Sequence, residues 1–251
     1  MLESRIAYAI CMVLATWIAA SLIRRRQRSL PLDTTQRIGI LVGGLVGATL
    51  AAKLPFVLAG TFAGGNLLEL WFSDGKTVLW GLAGGYLGVE FAKWTFYVRV
   101  STGDSFVVPV AIAIALGRIG CFLYGCCYGI ATNQSWGVYF TAADDGGVLM
   151  RHPTQLYEFV FHTAFACAAA VGIARGKWTG QWMPLYLVGY AVFRLISEVW
   201  RPEPRFVGGL TFYQWSSLGI GIGFTSLLLC RLHVEKMRLR LIQHSDSQTG
   251  I

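Results

Sequence analysis

The sequence predicts an all-α, polytopic membrane helix bundle of about seven transmembrane helices, with the N-terminus outside and the C-terminus cytoplasmic, as a single domain over residues 1–251. Three observations predict it. Hydrophobic residues make up 55% of the 251-residue chain against 14% charged, and mean hydropathy is +0.54. Several apolar runs reach the roughly 20 residues that a helix needs to cross the hydrocarbon core. Their apolar character is continuous, whereas a membrane-spanning barrel alternates. The net charge of +8 sits in short Lys and Arg tracts beside the apolar runs. That arrangement points to topology and not to nucleic acid. The first residues lack the charged start and small-residue cleavage site of a signal peptide, so the first run reads as a retained span.

In chain order the spans fall near residues 6–23, 38–58, 78–98, 105–124, 155–174, 182–200 and 210–230. The first ends in Arg24-Arg25-Arg26-Gln27-Arg28, which the positive-inside bias places in the cytoplasm. Alternation through seven spans then puts Arg99, the Arg175 to Lys177 turn and the Arg231 to Arg240 tail on the same side, while the 59–77 loop carries one lysine against Glu69 and Asp74. The basic tail is expected to lie against anionic lipid before the polar last residues fray. The long connections, 59–77 and 125–154, face outward. The second, with Trp136, Gly137, Tyr139 and Asp144-Asp145-Gly146-Gly147, reads as an interfacial loop. Glycines recur along the spans at Gly43, Gly44 and Gly47, at Gly81, Gly84, Gly85 and Gly88, and at Gly219, Gly221 and Gly223. All of these suit close helix approach. Lys53 reads as a snorkelling cation and Pro55 as a helix-ending proline.

Polar groups inside such spans need partners or a function. The segment Gly117-Arg118-Ile119-Gly120-Cys121-Phe122-Leu123-Tyr124-Gly125-Cys126-Cys127-Tyr128-Gly129 places an arginine and three cysteines in or beside an apolar run. An arginine at mid-bilayer depth costs about 2.5–3.5 kcal/mol on insertion scales. Arg118 and Arg194 each lie about six residues, or roughly 9 Å, inside the outer boundary. With Arg201 near the same surface they can form a phosphate pocket, because guanidinium offers a planar fork and keeps its charge. Arg194 and Glu198, four apart, can instead neutralise each other, which leaves Arg118 without an anion. Glu90 and Lys93 read as a structural pair. The start of the fifth span, Arg151-His152-Pro153-Thr154-Gln155-Leu156-Tyr157-Glu158, offers a polar face running on to His162. Glu158 and His162 are expected to satisfy each other, while His152, nearer the surface, is a candidate general base or phosphate donor.

Cys11, Cys167 and Cys230 read as small buried residues. Cys121, Cys126 and Cys127 can form a disulfide, bind a metal or act as thiols, and spacing does not choose between these. A vicinal pair is a poor zinc pattern, and His152 would have to complete the site. A thiolate near Arg118 is chemically reasonable, since cations lower a thiol pKa.

These residues resemble the prolipoprotein diacylglyceryl transferase family. The resemblance rests on Gly117-Arg118-Ile119-Gly120 through Tyr128-Gly129, on Arg151 to Glu158, and on Gly189-Tyr190-Ala191-Val192-Phe193-Arg194 with Glu198 and Arg201. Weaker parallels are Tyr8, Ala83 to Gly88 and Gln214 to Leu218. The family implies a seven-span enzyme of the bacterial plasma (inner) membrane, with a site opening to the periplasmic side. It would move the diacylglyceryl group of phosphatidylglycerol, or a related phospholipid, to the lipobox cysteine thiol of a prolipoprotein, releasing glycerol phosphate. By carry-over Arg118 and Arg194 would bind and stabilise the phosphate, with Tyr8, Gly129 and Glu198 shaping the site; with His152 or a cluster thiol standing in for the family's base, the catalytic set is Arg118, Arg194, His152 and Tyr8. The substrate-binding set is Arg118, Cys121, Gly129, Gln155, Tyr157, Arg194, Glu198 and Arg201, with no metal and no cofactor. The chain departs from the family at three places. His-Gly-Gly appears as Ala83-Gly84-Gly85, the asparagine after Gly-Arg-x-Gly is Cys121, and Asn-Gly-Glu is Tyr124-Gly125-Cys126. The phosphate clamp is retained and the proton-handling groups are altered.

Three readings follow. The first is the family reaction, with the lipobox thiol or a different acceptor. The second is a non-catalytic protein that binds or moves lipid through the retained headgroup pocket. The third is a redox or metal protein built on the cysteine cluster.

Overall fold

Long apolar runs ended by basic tracts, Pro or Gly fold as helices, because only intrahelical bonding satisfies the backbone of such segments away from water. The computed structural model describes residues 2–62, 65–72, 75–143, 145–205 and 207–249. Eight helices occur among them: α1 (Leu2–Arg28), α2 (Thr34–Phe62), the short α3 (Leu67–Phe72), α4 (Val78–Thr95), α5 (Gly103–Tyr124), α6 (Thr154–Ala174), α7 (Trp182–Ser197) and α8 (Phe212–Thr249). Each expected span overlaps a helix. Five, α1, α2, α5, α6 and α8, are long and apolar enough to cross a membrane. α4 carries Glu90 and Lys93, and α7 has 16 residues. A small hairpin occurs in the loop after α5, where β1 (Val138–Tyr139) pairs antiparallel with β2 (Met150–Arg151).

α2 packs on α4, α1 on α5, α5 on α6, and α7 on α8. The α2–α4 contact depends on glycine. A Cβ at Gly43 would stand 2.6 Å from the Gly88 carbonyl oxygen, and one at Gly84 would collide with Ala51 and the Gly47 carbonyl. In the last helix the expectation fails: Gly219 and Gly223 have nothing within 4 Å of a built Cβ, and only Gly221 faces a neighbour, Ala191. The main core joins α4, α5, α6, α7 and α8 around Val107, Ala111, Tyr186, Leu187 and Tyr190. Away from it the outer faces stay apolar, with Leu45 70% and Ile222 66% exposed. Such surface suits lipid contact and not water.

Other expectations need correction. Pro55 lies inside α2 and does not end it; its ring is fully buried, so tertiary packing outweighs the lost backbone bond. Lys53 is buried and does not snorkel. The basic tail after residue 230 continues α8, which runs to Thr249. Asp74 and Asp144 lie outside the described residues. Glu90 and Lys93 do pair, at 3.1 Å, and Arg231 approaches the same carboxylate at 3.8 Å.

The helices alternate in direction, so chemistry collects at one end. The N-terminal parts of α1, α4, α6 and α8 meet the C-terminal parts of α2, α5 and α7 there. At the opposite end the Asp104 carboxylate accepts N–H bonds from Gly180 (2.6 Å) and Trp182 (3.3 Å), next to Arg26 and the Arg175 to Lys177 turn.

Candidate active site

The site is built on a buried carboxylate. Glu158, on the first turns of α6, is 1% exposed. Arg118 from α5 reaches its Oε2 at 2.7 Å, and Arg194 from α7 and Arg201 beyond it each reach Oε1 at 3.3 Å. The Tyr190 hydroxyl donates to Oε2 at 2.8 Å. A carboxylate has about four acceptor positions, and here all are used. Arg194 also donates to Glu198 at 2.6 Å, the contact expected from their four-residue spacing, and Thr211 donates to the same carboxylate at 3.4 Å.

Two expectations are thereby overturned. Arg118 does not lack an anion. Glu158 and His162 do not satisfy each other, because Nε2 of His162 stays 4.0 Å away while its Nδ1 bonds the Tyr186 hydroxyl at 2.6 Å. The reason is tertiary: guanidiniums from elsewhere in the chain occupy the acceptor positions of Glu158 ahead of a ring four residues along the same helix.

Three guanidiniums face two carboxylates, so the cluster carries one surplus positive charge. Burying unneutralised charge is costly, so the cluster has the charge balance to accept an anion. The guanidiniums line a cavity of about 330 Å³ together with Lys76, Glu203 and Tyr213. Lys76 and Glu203 cancel in sign, so the surplus persists. Within this wall Arg118 Nε is buried without a hydrogen-bond partner among the described residues, an unused donor beside the cavity.

The turn after α5 forms one side of the site. Gly125 adopts a left-handed conformation (φ 82°), and its N–H and that of Cys126 both return to the Cys121 carbonyl, at 3.0 and 3.1 Å. This C-cap folds Cys126 back beside Cys121. Cys127 is also left-handed (φ 63°), which is uncommon for a residue with a side chain. Thr154 (2.7 Å) and Arg201 (2.8 Å) hold its carbonyl, and Gln155 holds that of Cys126 at 2.6 Å. Gln155 therefore positions the turn. The three thiol sulfurs come within 4.8 Å of one another, and Cys127 lines the cavity. Hydrogen bonding with the Cys121 and Cys126 thiols, reinforced by Arg118 and Arg201, holds the Cys127 thiol below its ordinary range.

Tyr8 on α1 packs its ring 5.7 Å from that of Tyr124, within electrostatic reach of the three cysteines and Arg118. Gly129 is a packing point: a Cβ there would sit 2.5 Å from the Trp200 carbonyl oxygen and 2.8 Å from His152 Cβ. His152 lies behind this wall and is not among the cavity's lining residues. Its Nδ1 meets the Tyr157 hydroxyl at 2.9 Å, and Trp136 donates to the same hydroxyl at 3.0 Å. Burial pushes the imidazole below its usual 6.5. His152, Tyr157 and Trp136 are thus joined in one hydrogen-bonded group beside Gly129. On the loop, Asp145 is held below the usual carboxylate range against the effect of burial, by the Gly147 N–H and by Arg151 at 3.1 Å.

The sequence reading missed Lys76, Tyr190 and Tyr213 as members of the site. No local signal marks Lys76, whereas Tyr190 stands four residues before Arg194 on the same face. Ala83 lies in the apolar core with Tyr86 and Tyr190.

The family model of prolipoprotein diacylglyceryl transferase matches residues 5–230. The phosphatidylglycerol–prolipoprotein diacylglyceryl transferase of Chlorobaculum tepidum is 32% identical over 189 residues, 71% of this chain and 64% of its own length. Its counterpart in Legionella pneumophila (strain Corby) is 31% identical over 205 residues, covering 76% of this chain and 73% of that protein. A protein of that name numbered 2 in Clostridium perfringens is 33% identical over 174 residues, 66% of each. The matched stretch thus spans roughly two thirds to three quarters of these relatives.

Proposed function

This chain belongs to the prolipoprotein diacylglyceryl transferase family, and from that premise we propose that it transfers the diacylglyceryl group of phosphatidylglycerol to the lipobox cysteine thiol of a prolipoprotein, releasing glycerol phosphate. One observation carries the reading. Arg118, Arg194 and Arg201 converge on Glu158 with one surplus positive charge beside a cavity of about 330 Å³, and a phosphodiester headgroup brings one negative charge.

In the reaction the thiol sulfur attacks the glycerol carbon that bears the phosphate. The thiol gives up its proton to water, the thiolate sulfur forms the S–C bond, the C–O bond breaks, and its electron pair leaves on the phosphate oxygen. Charge on the departing phosphate grows from one to two. Fixed guanidinium donors stabilise that growth more than they stabilise the bound lipid, which is the condition for lowering the barrier. Glu158 and Glu198 aim the forks, so little reorganisation is left for the reacting state.

We place all seven long helices across the bacterial plasma membrane, N-terminus outside, with the site opening to the periplasmic side. The basic residues near Arg26, Arg175 and Lys177 at the far end support this orientation. The test is to incubate the detergent-purified protein with phosphatidylglycerol and a lipobox peptide. Mass spectrometry should find a thioether-linked diacylglyceryl peptide, with one glycerol phosphate released for each. Glycerol phosphate without modified peptide would mean another acceptor. Ala83, a buried methyl where the family carries histidine, favours a second reading as a lipid-binding or lipid-moving protein. Copurifying lipid with no turnover would establish it.

A further inference from the structure

Three cysteines from the end of α5 and the turn after it bring their sulfurs together beside the arginine-lined cavity. We propose that Cys121, Cys126 and Cys127 hold a zinc ion through three thiolates, with the fourth coordination position open to the arginine-lined cavity for the thiol that is alkylated. The identity of that thiol rests on the transferase reading above; the metal site does not.

Geometry supports three ligands on one ion. Zinc–sulfur bonds of about 2.3 Å put tetrahedral sulfurs about 3.8 Å apart. The Cys126 and Cys127 sulfurs are 3.6 Å apart, and all three lie within 4.8 Å of one another. A vicinal pair is normally a poor zinc pattern because successive side chains diverge. Here the left-handed backbone at Cys127, with its carbonyl held by Thr154 and Arg201, turns both sulfurs to one side. The C-cap at Gly125 brings Cys121 to the same place. Among the described residues no histidine or carboxylate joins the group, and His152 is engaged with Tyr157. Three protein ligands with an open position is the pattern of a catalytic zinc, whereas structural sites are closed by four. The open side has an entry path, since Cys127 lines the cavity. Three thiolates on a divalent ion leave one negative charge beside Arg118 and Arg201. That charge offsets the surplus of the arginine cluster, so with zinc bound the headgroup phosphate is held by guanidinium N–H donors such as the unused Arg118 Nε and not by net charge.

The chemistry balances. The incoming thiol binds zinc as thiolate, and its proton passes to water in the cavity. The thiolate sulfur then forms the S–C bond while the C–O bond breaks, and the electron pair departs with glycerol phosphate toward Arg118, Arg194 and Arg201. The product is a neutral thioether, a weaker ligand than thiolate, so it leaves the metal.

The test begins with the full-length protein purified anaerobically in detergent, with metal measured by mass spectrometry before and after addition of equimolar zinc. About one zinc per chain is expected, lost in the Cys126→Ser, Cys127→Ser double variant and in Cys121→Ser, with each variant's melting curve checking its fold. Cobalt substitution should give a thiolate-to-metal charge-transfer band that shifts when a lipobox peptide is added and stays put with its Cys→Ser version. No metal uptake, zinc retained in the folded double variant, or recovery of two of the cysteines as a disulfide would overturn the proposal. A cobalt band that responds to the peptide without thioether product would uphold the metal site and sink the transferase reading instead.

Discussion

Replacing Glu158 by Gln tests whether one buried carboxylate organises the site. The amide keeps the size and one oxygen acceptor but removes the charge that Arg118 meets at 2.7 Å and Arg194 and Arg201 at 3.3 Å. Three guanidiniums then share Glu198 alone, and the new NH2 group points donors at donors. Removing one partner from a buried ion pair costs about 3–5 kcal/mol. At about 1.4 kcal/mol per factor of ten, full expression of that cost in the reacting state slows turnover by roughly two to three and a half orders of magnitude. The Arg118 contact is the shortest of the three, so its fork should lose most order. Initial rates of glycerol phosphate release, with melting temperature in the same detergent, measure both consequences. Glu158→Asp should recover part of each, because the charge returns with a shorter reach. A Glu158→Gln protein melting within a degree or two of the parent, with its rate within threefold, would refute the reasoning.

Other perturbations separate clamp from scaffold. Arg194→Ala should lower turnover about 10²- to 10³-fold, the cost of one donor to a developing oxyanion; an unchanged rate of glycerol phosphate release would remove Arg194 from the clamp. Gly84→Val, which drives a side chain into Ala51 and the Gly47 carbonyl, should destabilise the α2–α4 contact by about 1–3 kcal/mol. Gly219→Ala, in open space, should be neutral or stabilising by up to about 1 kcal/mol; paired thermal melts that rank the two variants the other way would discredit the packing. Burial holds the His152 pKa below 6.5, so between that lowered value and 6.5 the unfolded chain binds more protons than the folded one. This contribution to stability is complete above pH 6.5 and is lost as pH falls through that window. Melting temperatures from pH 5 to 8 should show the loss in the parent and a shallower one in His152→Asn; identical profiles would mean the ring is not buried as described.

Much of this protein was legible along the chain because helical geometry ties sequence distance to space. Spans follow from apolar length, and the Arg194–Glu198 and Glu90–Lys93 pairs follow from spacings of four and three. The arginines at matching depth could be counted off from the ends of their spans. No such rule links residues on different helices. Glu158 meets Arg118 across forty residues and Arg201 across forty-three, so its part as the common anion was hidden, and a nearer but weaker partner, His162, stood in its place. Pro55 and Lys53 were misread for the same reason, since surrounding packing and not local propensity decides whether a helix continues or a cation is buried. The sequence by itself determined the membrane-helix character, the family and the arginines of the buried cluster, because these depend on composition and local period. Only the tertiary structure decided which carboxylate aims those cations, that His152 stands behind the wall, and that three cysteines spread over seven positions present their sulfurs to one point, because each depends on where separate helices end against one another.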